Sequence, residues 1–543
     1  MRVLSRWAAA LGAAGLTAGA CAAVIATYRV YSQTWDEPLH IVAGLEWIER
    51  GSYTWEPLHP PLARVLIGIG PWLAGARLDA DPNPWVQGNR ILGARDEYTR
   101  MLSLARAGVL PFLALAAAGA FLAGRRAAGT AGGLLAVLLF VTIPPVLAHA
   151  GLATTDLALA AGTILSFVAF LRWREEPTLS RAIALGLVLG GTILTKFSSL
   201  LFLPVALAGA AIAPAASVFP PSRSGRILAF RPVWITAVAA IWLGYRFDVG
   251  PALSPRAGAG DHGTITAITE LPIYPAPALV QGLAAYAGQS AGGRKAFFLG
   301  ERGREGWWLF FPTLLVLKSP IPLLVLTAVG ARTLIARRRD PSRRAGLAAA
   351  LAAAGILLVL LPSRVNIGLR HALAVYPFMA VVAAYGAIEL WGRGRHRLGA
   401  VAVGALLTWQ VAGTIRAAPD FLPWFNELAG QAPERIVVDS DLDWGQDLKR
   451  MADTLRARGI TSPLLAYNGS TDPAAVGIER YRILQPFTPD TGWIAISVFT
   501  RTLGYWNEPT SDDFAWLEAY QPVARAGRSM LLYRIEAAAE SKR

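Results

Sequence analysis

Five short stretches of this chain carry side chains whose type and setting could do chemistry. Asp36 and Glu37 follow Thr34-Trp35, just past the first apolar run. Seen alone, carboxylates there read equally well as solvated loop residues. His59 sits in a turn flanked by proline, in His59-Pro-Pro61-Leu-Ala-Arg64. Asp156 ends the stretch Gly151-Leu-Ala-Thr-Thr-Asp156, with apolar sequence on both sides. A charge in such a place is costly unless it is paired or put to use. Aspartate is also a good helix cap, and the two roles are compatible. Lys196 lies in Leu194-Thr-Lys-Phe-Ser-Ser199 between two short apolar runs, where it is either a snorkelling lysine or a functional cation. Arg364, Arg370 and His371 fall in Ser363-Arg-Val-Asn-Ile-Gly-Leu-Arg-His371. Basic groups brought together from separate turns suit an anionic ligand, and the planar fork of arginine suits phosphate in particular.

The elements that must position these residues are set by composition. Of 543 residues, 54% are hydrophobic and only 16% charged. A soluble domain carries roughly 25% charged residues. The deficit is concentrated in long apolar stretches, one of which, 102–123, contains a single arginine, Arg106. About 20 apolar residues span a bilayer core. On that measure eleven crossings are predicted: 7–28, 102–123, 131–148, 157–171, 182–195, 199–213, 232–245, 308–330, 345–361, 372–391 and 398–415. The short members of this set also fit re-entrant segments.

The net charge of +15 does not point to nucleic acid, because the arginines sit in clusters between apolar runs rather than in a stripe with aromatics. The clusters are Arg2/Arg6, Arg125/Arg126, Arg172/Arg174/Arg181, Arg223/Arg226/Arg231, 332–344 and 393–397. With eleven crossings all of them fall on the side of the N-terminus, which the positive-inside rule makes the cytoplasm. The chain therefore reads as a multi-pass protein of the inner (plasma) membrane with its C-terminal part outside. The one cysteine, Cys21, allows no intramolecular disulfide and no cysteine-based metal site. The run continues past Cys21, so the first stretch reads as an uncleaved anchor rather than a lipoprotein signal.

On the outer side lie a long first loop, 29–100, the turn 149–156, the turn 195–198, the loop 247–307 and the turn 363–371. Within the first loop, 39–50 and 61–78 are amphipathic enough to lie along the membrane surface. The expected architecture is thus an all-α polytopic membrane domain, 1–416, followed by an extracytoplasmic α/β domain, 417–543. In the latter, 435–438, 464–467, 493–499 and 530–535 read as strands and 448–458 as a helix. Asp439, Asp441, Asp443 and Asp447 form an acidic cluster. A calcium loop opening at Asp439 would need Gly at its sixth position and Glu at its twelfth, where Trp444 and Arg450 stand, so capping and acceptor binding are the preferred roles.

The order Thr34-Trp-Asp36-Glu37-Pro, His59-Pro-Pro61-Leu-Ala-Arg64, Thr154-Thr-Asp156, Thr195-Lys196-Phe and Asn366-Ile-Gly-Leu-Arg370-His371-Ala-Leu-Ala-Val-Tyr-Pro377 resembles bacterial relatives of protein O-mannosyltransferases and lipid A aminoarabinose transferases. These are polyprenyl-phosphate-dependent glycosyltransferases of the GT-C fold. The tail motif Asp439-Ser-Asp-Leu-Asp443-Trp-Gly-Gln-Asp447 departs from the tails of both. The resemblance implies a sugar donor on polyprenyl phosphate and a protein, lipid or glycan acceptor. It implies Asp36 as the base for the acceptor hydroxyl, with Glu37 and Asp156 as further acidic residues of the catalytic set. Lys196, Arg370, His371 and Arg64 would hold the donor phosphate, and His59 would line the substrate site or brace its loop. Attack opposite the departing phosphate would invert the anomeric centre. Some enzymes of this fold use a divalent metal, for which Asp36, Glu37 and Asp156 would supply oxygens; the nearer relatives work without one, and no metal or other cofactor is expected. A transporter or flippase of lipid-linked sugars is the alternative, although the internal repeat common in transporters is not evident. A non-catalytic scaffold would have no use for a carboxylate poised beside outer-side cations.

Overall fold

The computed structural model describes residues 2–94, 96–212, 223–251, 274–393, 396–505 and 513–536. Much of the fourth expected outer loop, 252–273, lies outside the described residues.

Among the described residues, six helices are long and apolar enough to cross a membrane, or seven if one bent pair is counted as a single span. Not all of the eleven expected crossings are full-length spans, and the reasons are local. The second and third expected segments are the two arms of one run, Asp96–Val141. The run turns back between them at Ala128 and Gly129, where the backbone leaves helical geometry and Gly129 takes φ +72°. The arms then pack so tightly that a Cβ on Gly124 would meet Ala136 at 2.8 Å. The eighth expected segment is broken into Phe310–Leu317 and Ile321–Ala336, bent by 114°. Proline at 320 and 322 supplies the break, since proline ends one helix and opens the next. Leu179–Ile193, Ser199–Ala210 and Ala229–Gly244 are apolar helices shorter than a full span.

Burial separates central from peripheral helices. Asp156–Glu175 and Leu369–Gly392 are 72% and 83% buried over their apolar windows, against 17% for Trp7–Thr27 and 22% for Arg397–Ala417. The two central helices open with Asp156 and with Leu369-Arg370, so the charged ends of the most enclosed helices become the floor of a site.

The first-loop helices Glu37–Arg50 and Pro61–Leu73 pack on each other, the second keeping Ile69 and Leu73 exposed. Glu37, Pro38, His40 through Leu45 and Glu46 are buried. The two helices cross where Gly44 meets Gly68, and a Cβ on Gly44 would strike the Arg64 carbonyl oxygen at 2.1 Å. Only glycine permits that approach.

The C-terminal residues build a mixed five-stranded sheet. Strand Leu464–Ala466 pairs in parallel with Arg482–Ile483 and with Gly492–Ser497. Met530–Ile535 pairs antiparallel with Gly492–Ser497 and with Ala524–Ala526. Helix Leu448–Ala457 packs on it through Leu448, Met451 and Leu455, as its periodicity indicated. The expected strand at 435–438 is reduced to a single bridge between Val437 and Phe298. The segment just before and after that bridge does not belong wholly to the sheet. Phe421, Leu422, Val437 and Trp444 are part of the large core shared with the membrane helices.

Candidate functional site

Four buried or half-buried ion pairs gather where the central helices meet the first loop and the acidic segment. Asp36 Oδ2 accepts from an Arg370 terminal nitrogen at 2.8 Å. The side chain of Asp36 is 26% exposed and that of Arg370 10%. Lys196 Nζ lies 2.5 Å from Asp156 Oδ1, and this pair is almost wholly buried. Arg106 embraces Glu37 through Nε at 2.8 Å and a terminal nitrogen at 2.9 Å, both side chains being fully buried. Lys318, at the break of the bent helix, lies 3.4 Å from Asp441 and donates to the Leu422 carbonyl at 2.8 Å.

These pairs do different work. Glu37 is saturated. Besides Arg106 it accepts from the Thr34 N–H at 2.7 Å and the Ala153 N–H at 2.8 Å. It thereby ties the turn before Asp36 to the turn before Asp156, and fixes the spacing of the two acidic residues. Arg64 is also committed. It ion-pairs with Glu56, donates to the Glu56 carbonyl at 2.6 Å and Tyr53 Oη at 3.0 Å, and gives Nε–H to His40 Nδ1 at 2.9 Å. Of the expected phosphate ligands, Arg64 therefore holds the His59 loop together, while Lys196 and Arg370 keep spare donors. Arg370 Nε, Asp156 Oδ2, His371 Nε2, His59 Nδ1, His149 Nδ1 and Thr154 Oγ1 are buried without a hydrogen-bond partner among the described residues. Buried polar atoms are nearly always satisfied in folded proteins, so such a concentration of free valences marks a place built for a polar ligand.

The two acidic–basic pairs lie within electrostatic reach of each other. Arg370 lies within electrostatic reach of both Asp36 and Asp156. His371 feels Lys196, Arg370 and Asp156 together. His59 is held neutral: burial, reinforced by the Lys196 charge, pushes it down to about 3. It can offer an N–H or a lone pair, and no charge, at neutral pH.

Neighbouring elements hold each member. The Lys196 turn is pinned to the first loop by the Leu62 N–H donating to the Leu194 carbonyl at 3.0 Å. Arg370 stacks on Trp444, its guanidinium 4.1 Å from the ring centroid. Trp444 in turn accepts the Trp35 N–H at 3.1 Å, and Gln446 accepts the Ser32 N–H at 2.9 Å. The acidic segment thus contacts Arg370 and the turn that carries Asp36, and shares in aligning the pair.

Sequence reasoning reached Asp36, Asp156, Lys196 and Arg370, which the fold brings together, and placed His59 and His371 beside them. It missed Arg106, His40, His149 and Trp444. Arg106 carried a signal, being the lone charge in an apolar stretch, where a buried partner is required. The histidines and Trp444 gave none, because their partners are remote in the chain. Among the described residues no group of three or more His, Cys, Asp or Glu is arranged to hold a metal ion.

Comparison with known proteins adds to this geometry. The family of dolichyl-phosphate-mannose-protein mannosyltransferases matches residues 17–250. That stretch contains Asp36, His59, Arg64, Asp156 and Lys196. The crystal structure of ArnT from Cupriavidus metallidurans bound to undecaprenyl phosphate matches with a TM-score of 0.51 at 13% identity, over 95% of this chain and 97% of that one. At this identity the likeness is one of fold. The apo state of the same protein gives 0.49 at 14% identity over 98% of both chains. An Archaeoglobus fulgidus oligosaccharyltransferase tethered to an acceptor peptide containing the NVT sequon gives 0.47 at 12% identity, over 94% of this chain and 72% of that one. No curated protein matches the sequence.

Proposed function

We propose that this chain, a GT-C-fold relative of the polyprenyl-phosphate-dependent glycosyltransferases, is a membrane glycosyltransferase that moves a sugar from a polyprenyl-phosphate donor to an acceptor outside the cytoplasm. The observation that carries the reading is the convergence of Asp36–Arg370 and Asp156–Lys196 on one site. The partners are 334 and 40 residues apart in the chain, and free hydrogen-bonding atoms surround them.

The chemistry follows from the charges. The donor's phosphate is already a good leaving group, so the demands are a base for the attacking hydroxyl and cations for the departing phosphate. Lys196 has three N–H donors and gives one to Asp156; Arg370 keeps its Nε–H free. Both can therefore take a phosphate oxygen without abandoning their carboxylates. Phosphate and Asp36 draw on the same guanidinium, so donor binding at Arg370 changes the pairing of Asp36. Asp36, partly exposed, faces the side from which an acceptor hydroxyl can enter. Displacement from that face inverts the anomeric centre. Asp156 orients Lys196, and Glu37 with Arg106 sets the frame.

The orientation belongs to the same proposal: arginine clusters in the cytoplasm, eleven crossings made with the help of the short and bent helices, and the site and the C-terminal sheet outside. Purified protein in nanodiscs, given radiolabelled undecaprenyl-phosphate sugars, should release undecaprenyl phosphate or label a membrane acceptor. Failure of every sugar form to bind or turn over would sink the assignment.

A further inference from the structure

The acidic segment holds four buried aspartates, at 439, 441, 443 and 447, and three of them are spent on holding it in place. Asp441 accepts the Leu369 N–H with both oxygens at 3.1 Å and pairs with Lys318. Asp443 accepts the Phe499 N–H at 2.7 Å and the Gly445 N–H at 3.3 Å. Asp447 accepts the N–H groups of Arg528 and Ser529 at 2.9 and 3.0 Å and lies 3.2 Å from Arg450. The segment is therefore stapled to the central helix on one side and to the sheet on the other.

Asp439 is different. It adopts φ +67°, the left-handed region that costs a residue with a side chain and that only Asn and Asp tolerate at all readily. Its Oδ1 accepts only the N–H of the next residue, Ser440, at 2.6 Å. Its Oδ2 is buried with no partner among the described residues, in a residue only 6% exposed. Ser440 Oγ, donating to the Ile367 carbonyl at 2.5 Å, prevents the segment from sliding to relieve this. The carboxyl group lies within reach of the charges of Arg370 and Asp36, and Arg294 responds to the same three groups. Strain and an unsatisfied buried acceptor together are costly, and folds keep such features where they serve a ligand.

The ligand's chemistry can be read from the side chain. The cations that suit a phosphate lie at Lys196 and Arg370, and the free oxygen of Asp439 adds none. A hydroxyl group fits in either protonation state of the carboxyl. Burial, opposed only in part by Arg370, pushes Asp439 up to about 8, so at neutral pH it is mostly the neutral acid and can donate as well as accept.

We propose that Asp439 is a hydroxyl-binding residue of this site, holding a hydroxyl of the donor sugar or of the acceptor beside the Asp36–Arg370 pair. The inference rests on the glycosyltransferase reading above and makes the C-terminal segment a specificity determinant rather than a cover. The test uses the full-length protein in nanodiscs with bare undecaprenyl phosphate and with radiolabelled undecaprenyl-phosphate hexoses. Asp439→Gly deletes the carboxyl without straining the backbone, and Asp439→Asn keeps both the hydrogen bonding and the tolerance of positive φ. Bare undecaprenyl phosphate should bind Asp439→Gly as it binds the unaltered protein, which reports an intact phosphate site. If the hydroxyl is on the donor, KM for the sugar-bearing lipid should rise about tenfold or more, the scale of one lost buried hydrogen bond. If it is on the acceptor, transfer to membrane acceptors should fall by a similar factor, with donor KM and hydrolysis of the lipid-linked sugar unchanged. Asp439→Asn should recover most of either loss. Unchanged donor KM and unchanged transfer in Asp439→Gly would overturn the inference while leaving the glycosyltransferase reading standing. If the unaltered protein neither binds undecaprenyl phosphate nor acts on its sugars, both fall together.

Discussion

Asp36 and Glu37 are adjacent, chemically alike, and assigned opposite duties by the fold, so a pair of isosteric amides separates them. In Asp36→Asn the carboxylate lost is partly exposed and its partner Arg370 keeps Trp444 beneath it and Asp156 within reach. The amide oxygen still accepts from arginine, and Asp156 remains within reach of the Arg370 charge. Folding should hardly change. Turnover should fall about 10²–10⁴-fold, the usual contribution of a general base; at 1.36 kcal/mol per factor of ten, that is roughly 3–5 kcal/mol of barrier. Glu37→Gln inverts the pattern. Glu37 and Arg106 are fully buried, and Glu37 also accepts from two backbone N–H groups. The amide leaves a guanidinium without its counter-charge, and breaking such a pair costs about 3–5 kcal/mol. That is a large share of the 5–15 kcal/mol stability typical of a folded protein, so the expected result is poor expression and a lower melting temperature. The assays are size-exclusion profile and thermal melting in detergent, followed by initial rates at saturating donor. A stable Glu37→Gln protein with lost turnover, beside an Asp36→Asn protein of near-native rate, would show that the two roles have been exchanged.

Lys196→Ala leaves Asp156 buried without its cation, so Lys196→Arg and the double change Lys196→Ala with Asp156→Ala are the informative forms. The double variant should fold yet lose donor binding at least tenfold in titrations with undecaprenyl phosphate, and wild-type affinity would place the phosphate elsewhere. Trp444→Leu keeps bulk but removes the aromatic face under Arg370; a loss of about threefold to tenfold in kcat/KM is expected, on the scale of roughly 0.5–1.5 kcal/mol for such a contact, with no change in secondary structure by circular dichroism. His59 is held near 3 against an ordinary value near 6.5, so the unfolded chain binds the proton first as pH falls. The contribution of His59 to stability is complete above about pH 6.5 and is lost progressively toward pH 3; at pH 5 this amounts to at most about 2 kcal/mol. Melting temperature should accordingly decline between pH 6.5 and 5, less steeply in His59→Gln, and an identical slope in the two proteins would contradict a buried neutral imidazole. A periplasmic-type reporter fused after Arg543 should be active only outside the cytoplasm, and cytoplasmic activity would break the proposed orientation.

The pattern of apolar runs was enough to place this chain in a membrane, because bilayer thickness converts directly into residue count. The charges beside those runs made Asp156, Lys196 and Arg370 candidates, since an ion near lipid must be paired or used, and the family resemblance added Asp36. What sequence could not supply was which charge pairs with which. Asp36 meets Arg370 across 334 positions and Glu37, one residue on, meets Arg106 instead, a division set by helix direction at residue 37 and by nothing in the two side chains themselves. The same limit applies to span counting. The break at Gly129 falls in the gap that hydropathy left between 123 and 131, whereas the prolines at 320 and 322 bend a run that hydropathy reads as one span. The four aspartates at 439–447 looked alike as a cluster; only the tertiary contacts, three of them staples and one left facing the Asp36–Arg370 pair, distinguish Asp439, because hydrogen-bond partners are assigned by the fold and not by residue type.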